Sequence, residues 1–194
     1  MANLADIITS KVRIKVLELF FSNLKEVYHV RGIVRQTSEE INAVRRELTK
    51  LEKDGLLRKE PRGNRIYYSI RSEYPLFGDL TSIVAKTTGL GKIITDNKNK
   101  IGKVSFVMFS GKFVRHKEHK REDDVDILVV GEVVLPELAS IIRVEETIRG
   151  NEINYTAMSR DEFEFRKKRR DPFLLGILSG SRVMIIGDEE DLVS

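Results

Sequence analysis

Four consecutive apolar residues, Ile127-Leu128-Val129-Val130, lie near the end of the run EDDVDILVVG. Side chains of a strand alternate between its faces, so a strand apolar at every position must be covered on both. It belongs inside a sheet with packing layers on either side. The same run opens with Asp124-Val125-Asp126. In an extended chain residues i and i+2 share a face, so Asp124 and Asp126 aim two carboxylates at one spot while Val125 turns away. Two like charges at the mouth of an apolar strand are costly unless a cation or a basic group neutralises them. One arrangement that does so holds Mg²⁺ against a nucleotide's phosphates. The other is a solvated acidic turn that leads into a strand.

The chain has 194 residues, enough for one ordinary domain or two small ones. Charged residues make up 33% and hydrophobic residues 41%, the balance of a soluble globular protein. No apolar run approaches the roughly 20 residues needed to cross a bilayer, so no membrane partner is expected. The opening MANLADIITSKVRIKVLELFF has no basic segment leading into a continuous apolar core, so no signal peptide is expected and a cytoplasmic location is the default. The absence of cysteine excludes disulfides, thiolate metal sites and a cysteine nucleophile. Charge is uneven: residues 1–90 carry 16 Lys and Arg against 11 Asp and Glu, and the remainder carries 18 against 19. If nucleic acid is bound, the front half is expected to bind it.

In that front half Leu4, Ile7, Ile8, Val12, Val16, Leu19 and Phe20 recur at helical spacing over residues 4–23. Val30, Ile33 and Val34 share one face of a second, shorter segment. Thr37 or Ser38 is the expected N-cap of a third helix, with Glu39 or Glu40 close behind. There Ile41, Val44, Leu48 and Leu51 form an apolar stripe, and Gly55 ends the helix. Two strand-like runs, LLRKE and RIYYSI, follow around an expected turn at Pro61-Arg62-Gly63-Asn64. Three helices and then a hairpin, with the third helix amphipathic and basic, is the order of a winged helix-turn-helix. The stretch EVYHVRGIVRQTSEEINAVRRELTKLEKDGLLRKEPRGNRIYYSI resembles the winged-helix domain of ArsR-type transcriptional regulators, through its VRRELxxLExxGL core and GNRxYY wing. The resemblance covers about 65 to 70 residues from Ser10 onward. It implies a homodimer on double-stranded DNA, the third helix in the major groove and the wing along the backbone. Asn42, Arg45, Arg46 and Lys50 are then the recognition-helix residues, and Arg62 and Arg65 the wing residues that meet phosphate. The other expectation for Arg45 and Arg46 is surface pairing with Glu39, Glu40 or Glu47. Metal-sensing members of that family use cysteine and histidine clusters, which His29, His116 and His119 alone cannot supply.

A connector follows, punctuated by Tyr74-Pro75 and Gly78, in which Leu80, Ile83 and Val84 predict a short helix ending near Gly89 and Gly91. The boundaries expected are a winged helix over residues 1–72, a connector over 73–98 and a second domain over 99–194. Within the second domain VSFVMF predicts a strand that Ser110-Gly111 turns, and Arg115 to Arg121 form a basic loop. DVDILVVG predicts the central strand with Gly131 as its stop, and Pro136 to Ile142 starts a helix. Residues 151–156 read as a further strand, Ser159 caps a helix through DEFEFRKKRR, an apolar segment opens at Asp171-Pro172-Phe173, and RVMIIG closes with a strand. The fold class expected is α+β with two domains, the second a small α/β unit with a mixed sheet.

This half resembles the minimal nucleotidyltransferase domain of the DNA-polymerase-beta superfamily, on the strand, the Ser110-Gly111 turn, the loop and Asp124-Val125-Asp126 in that order. The resemblance implies Mg²⁺ on Asp124 and Asp126, a nucleotide's phosphates at Ser110, Gly111 and Lys112, and Glu152 as the third carboxylate, with Asn154 beside it at i+2. The sequence departs from the family where it reads Ser-Gly for Gly-Ser, carries Lys112 where serine would sit, and has Glu152 in place of aspartate. Lys112 suits a phosphate, and it equally suits neutralising Asp124 and Asp126 without metal. The function expected is a DNA-binding transcriptional regulator with an inactive or sensory nucleotidyltransferase-like domain. The alternative is a Mg²⁺-dependent enzyme that transfers a nucleotide monophosphate to a protein or small-molecule acceptor.

Overall fold

The computed structural model describes residues 3–117 and 124–194, so the part of the basic loop from Glu118 to Arg121 lies outside the described residues. The chain divides into two compact units between Val84 and Ala85.

The first unit opens with a single 3-10 turn at Leu4–Asp6, and a separate helix α1 follows at Lys11–Ser22. The periodicity of residues 4–23 predicted one helix. The chain breaks because Ser10 turns extended and its Oγ accepts from the Arg13 N–H, starting the helix afresh. Strand β1 (Tyr28–His29), helix α2 (Val30–Thr37) and helix α3 (Ile41–Lys53) come next. Neither Thr37 nor Ser38 caps α3. Ser38 ends α2 in the left-handed region, φ 53°, and the Glu40 carboxylate caps α3 by accepting from the Asn42 and Ala43 N–H groups, both at 2.8 Å. Strands β2 (Leu57–Arg62) and β3 (Arg65–Ile70) form a hairpin, and β1 adds to its other side in the order β1-β3-β2, all antiparallel. Pairing runs out to Arg62 opposite Arg65, so the turn is Gly63-Asn64 alone, with Pro61 paired to Ile66. An edge strand tolerates that proline because its missing N–H faces away from the ladder. Val16, Phe20, Ile33, Val44 and Leu48, none more than 1% exposed, knit the three helices into one core with Leu57 of the hairpin.

Helix α4 (Phe77–Thr87) carries the division between the units. It ends close to the end expected near Gly89 and Gly91. A second helix, α5 (Gly89–Asp96), which the sequence reading did not include, starts there, and its Leu90 and Ile94 are buried in the core of the second unit. A short α6 (Lys98–Ile101) leads into β4 (Gly102–Ser110), the single-turn α7 (Gly111–Val114) and β5 (Ile127–Val133). Then come α8 (Leu135–Arg149), β6 (Tyr155–Met158), α9 (Arg160–Lys168), α10 (Pro172–Ser179), β7 (Arg182–Ile186) and α11 (Glu189–Val193). The sheet is mixed, ordered β6-β5-β4-β7, with β5 and β6 parallel and the other pairs antiparallel. The class is therefore α+β.

Strand β5 is covered on both faces, as its apolar run requires. Ile127 and Val129 pack with Phe109, Leu138 and Ile142 on one side; Leu128 and Val130 pack with Met108, Phe163 and Leu174 on the other. All four residues are fully buried. Gly131 does not stop the strand. It has φ 142° and lies opposite Val104, where β4 shifts register, and a Cβ there would come within 2.4 Å of the Lys103 carbonyl oxygen. The glycine lets the strand run on past an irregular crossing.

Candidate functional site

At one end of this sheet a polar row crosses the strands. Ser110 pairs with Arg182 at the start of β7, its N–H donates to the Asp126 carbonyl at 2.8 Å, and the Asp126 N–H donates to the Asn154 carbonyl at 2.7 Å. The two acids precede β5, which begins only at Ile127, and they are held in different ways. Asp126 is 3% exposed, and its Oδ2 accepts from the Asn154 N–H at 3.0 Å. Asp124 sits against Lys112, whose Nζ donates to both carboxylate oxygens at 2.7 and 2.8 Å. Asn154 also donates its Nδ2 to the Asp124 carbonyl at 3.2 Å, tying the two segments together.

The residues expected to cradle phosphate carry the local structure. Ser110 caps α7, its Oγ accepting from the Phe113 N–H at 3.2 Å. The Gly111 N–H donates to the Ser181 carbonyl at 2.6 Å. A Cβ on Gly111 would stand 2.0 Å from Ser181 Oγ and 2.9 Å from its carbonyl oxygen, so the approach of residue 181 demands a glycine here. Lys112 is the residue of this turn that meets an acid, with its side chain 43% exposed.

Glu152 is exposed and precedes β6, so the alternation that was to place it beside Asn154 does not extend to it. Among the described residues no three His, Asp or Glu side chains gather as a metal-binding set. Both Asp124 oxygens take a lysine and one Asp126 oxygen takes a backbone N–H, so a Mg²⁺ ion at this pair would compete with Lys112 for Asp124. His116 Nδ1 lies 3.5 Å from Arg149 Nη1, while His119 lies outside the described residues. Sequence reasoning did not find Arg149. Its guanidinium stacks 4.1 Å from the centre of the Phe113 ring and its Nε donates to the buried Glu145 carboxylate at 2.6 Å, bracing α7. The i, i+4 spacing of Glu145 and Arg149 was the available signal. Ser181 and Arg182 gave no local signal, because strand pairing alone brings them to Ser110.

In the first unit Val44, Leu48 and Leu51 of α3 face the core, while Asn42, Arg45, Arg46 and Lys50 are exposed. The acids that were to pair with Arg45 and Arg46 have other duties. Glu39 binds Lys15 at 2.6 Å and Glu47 binds Arg13. The Glu40 carboxyl is held below its ordinary range, first by the Asn42 and Ala43 N–H groups and then by the nearby charges of Arg46 and Arg45. Arg62 and Arg65 flank the hairpin turn, both exposed. Arg62 is bonded to Glu60 at 2.9 Å and lies 5.1 Å from the Tyr67 ring centre. No described helix is long and apolar enough to cross a membrane.

No protein-family model, curated protein or solved structure matches the chain.

Proposed function

We propose that this protein is a DNA-binding transcriptional regulator: an N-terminal winged helix of ArsR type that acts as a homodimer, and a C-terminal nucleotidyltransferase-like domain that binds or senses without turnover. The observation that carries the first part is the exposed face of α3. Asn42, Arg45, Arg46 and Lys50 lie along it, and the three neighbouring acids are bonded elsewhere, which leaves a cationic surface on a well-buried helix. A helix of this kind suits the major groove, and Arg62 and Arg65 at the hairpin tip suit the adjoining phosphates. The helix order and the three-stranded sheet support the winged-helix reading.

The test is selection of binding sites from random duplexes, followed by mobility shifts over a range of salt. The expected result is sequence-selective binding. In Arg45→Ala/Arg46→Ala selectivity is lost, and the slope of log affinity against log salt falls by about 2 if both residues meet phosphate or displace counterions. Binding that is neither selective nor salt-dependent refutes the proposal.

Two observations support a second domain without turnover. Lys112 occupies both oxygens of Asp124, and the Ser110 and Gly111 N–H groups are spent on the Asp126 and Ser181 carbonyls. The enzymatic alternative, Mg²⁺-dependent nucleotidyl transfer, requires those bonds to be exchanged for metal and phosphate. Label transferred from α-labelled ATP and lost in Asp124→Asn and Asp126→Asn would establish it.

A further inference from the structure

Helix α9 ends in five consecutive cations, Arg166-Lys167-Lys168-Arg169-Arg170, in a half of the chain whose other residues are net acidic. Two of them serve the fold. Arg166 binds Glu162 at 2.8 Å and faces Asp171 at 3.7 Å, and Lys167 donates to the Leu192 carbonyl at 2.9 Å. Lys168, Arg169 and Arg170 are exposed, and among the described residues none of the three is in an ion pair. Basic residues in a last turn offset the helix dipole, which accounts for one or two of them.

The backbone argues that the third is kept for another reason. The Arg170 N–H donates to the Lys167 carbonyl and the Asp171 N–H to the Arg166 carbonyl, at 3.0 Å each, while Arg170 takes φ 50°. This is a Schellman ending with arginine at the left-handed position, where glycine carries no steric penalty. The same chain uses Gly55 after α3, φ 87°, and Gly150 after α8, φ 70°, with the small Ser38 at φ 53° after α2. A guanidinium held at a strained position points to a use for the charge.

Beside the cations stands an aromatic ring. Phe165 is 56% exposed, and the Arg169 guanidinium lies 4.6 Å from its centre. Cations that track a backbone and an exposed ring on which a base can stack are the two parts of a surface for single-stranded nucleic acid. An anionic membrane is the weaker fit, because Phe163 on the opposite side of α9 is fully buried in the core and leaves no apolar helix face to insert.

We propose that the C-terminal turn of α9 binds single-stranded nucleic acid, with Lys168, Arg169 and Arg170 on the phosphates and Phe165 under a base. The site is independent of α3 and of the DNA-binding role assigned to the first unit. The test measures the full chain by fluorescence anisotropy on a labelled oligo-dT strand at several salt concentrations. Lys168→Ala/Arg169→Ala/Arg170→Gly is expected to lower the salt slope by about 2, at roughly 0.7 per phosphate contact. Phe165→Ala is expected to weaken binding at least about 5-fold, the smallest effect usual for one stacked base. Arg170→Gly alone keeps the helix ending and so separates lost charge from lost fold. Arg45→Ala/Arg46→Ala is expected to retain oligo-dT binding. A chain that binds oligo-dT in this way but shows no selective duplex binding refutes the role given to α3 and leaves this site standing. An unchanged slope in the triple variant, unchanged affinity in Phe165→Ala, or loss confined to phosphatidylserine vesicles overturns the proposal.

Discussion

Replacing Gly111 with alanine separates two reasons for a glycine beside the acid pair. If the glycine exists to let a phosphate approach, alanine leaves the unliganded fold intact and even strengthens it. Gly111 lies in α7 outside the left-handed region, and a Gly→Ala change at a compatible position stabilises by about 0.4–1 kcal/mol through the unfolded chain. If the glycine exists for packing, the new methyl meets Ser181: Oγ at 2.0 Å, Cβ at 2.9 Å and the carbonyl oxygen at 2.9 Å. The serine is exposed and its hydroxyl can rotate away, but its Cβ and carbonyl move only with the backbone. That carbonyl also accepts the Gly111 N–H at 2.6 Å, so the strand end cannot retreat without stretching the bond. Overpacking of this kind costs about 1–3 kcal/mol, which outweighs the propensity gain. The net expected is a loss of about 1–2 kcal/mol.

Hydrogen exchange of the full chain reads this out locally, in peptides covering residues 104–110 of β4 and 182–186 of β7. A loss of about 1.5 kcal/mol speeds exchange roughly tenfold where opening of this unit governs it. Ser181→Gly removes two of the three close atoms, so the double variant is expected to recover about half the loss, a coupling that a cycle measures directly. Slower exchange in Gly111→Ala, or no recovery in the double variant, refutes the packing explanation.

Three further outcomes are expected. The Glu40 carboxyl is depressed in the folded chain, so its contribution to α3 is complete above the ordinary carboxylate range and is lost as pH falls through the depressed value; Glu40→Gln should flatten the acid side of the stability profile, measured by circular dichroism against urea. Asp124→Asn should cost less than about 1 kcal/mol because Lys112 is 43% exposed, whereas Asp126→Ala, at a buried acceptor, should cost about 1–3 kcal/mol in the same denaturation experiment. Arg170→Gly should raise stability by about 1 kcal/mol, seen as a higher denaturation midpoint, because glycine relieves the left-handed strain.

The parts of the fold that were legible in the sequence are those set by periodicity. The double-sided burial of β5 followed from four apolar residues in a row, and the core face of α3 followed from Val44, Leu48 and Leu51. What escaped was decided by single groups. Ser10 interrupts an unbroken hydrophobic pattern, and Glu40 takes a cap that Thr37 or Ser38 was expected to supply. At the acid pair, the partnership of Asp124 with Lys112 was foreseeable from charge, but Ser181, Arg182 and Asn154 arrive through strand register, which lies beyond local pattern. Glu152 was placed by extending alternation three residues ahead of a strand that begins at Tyr155.

The polar end of the sheet shows how one set of residues serves structure and limits chemistry at once. Ser110 caps a helix, Gly111 admits a strand, Asn154 bonds to both acids' segments, and Lys112 holds Asp124. Each bond is modest, about 0.5–1.5 kcal/mol for a neutral pair and more where a charge is involved. Together they set a threshold. A phosphorylated ligand entering here must share Lys112 with Asp124, which already takes two of the ammonium's three N–H groups, and it meets that carboxylate's repulsion unless a cation follows. A ligand that brings its own positive charge therefore gains more at this site than an anion alone. That difference separates binding of a metal-nucleotide pair from binding of an anion alone.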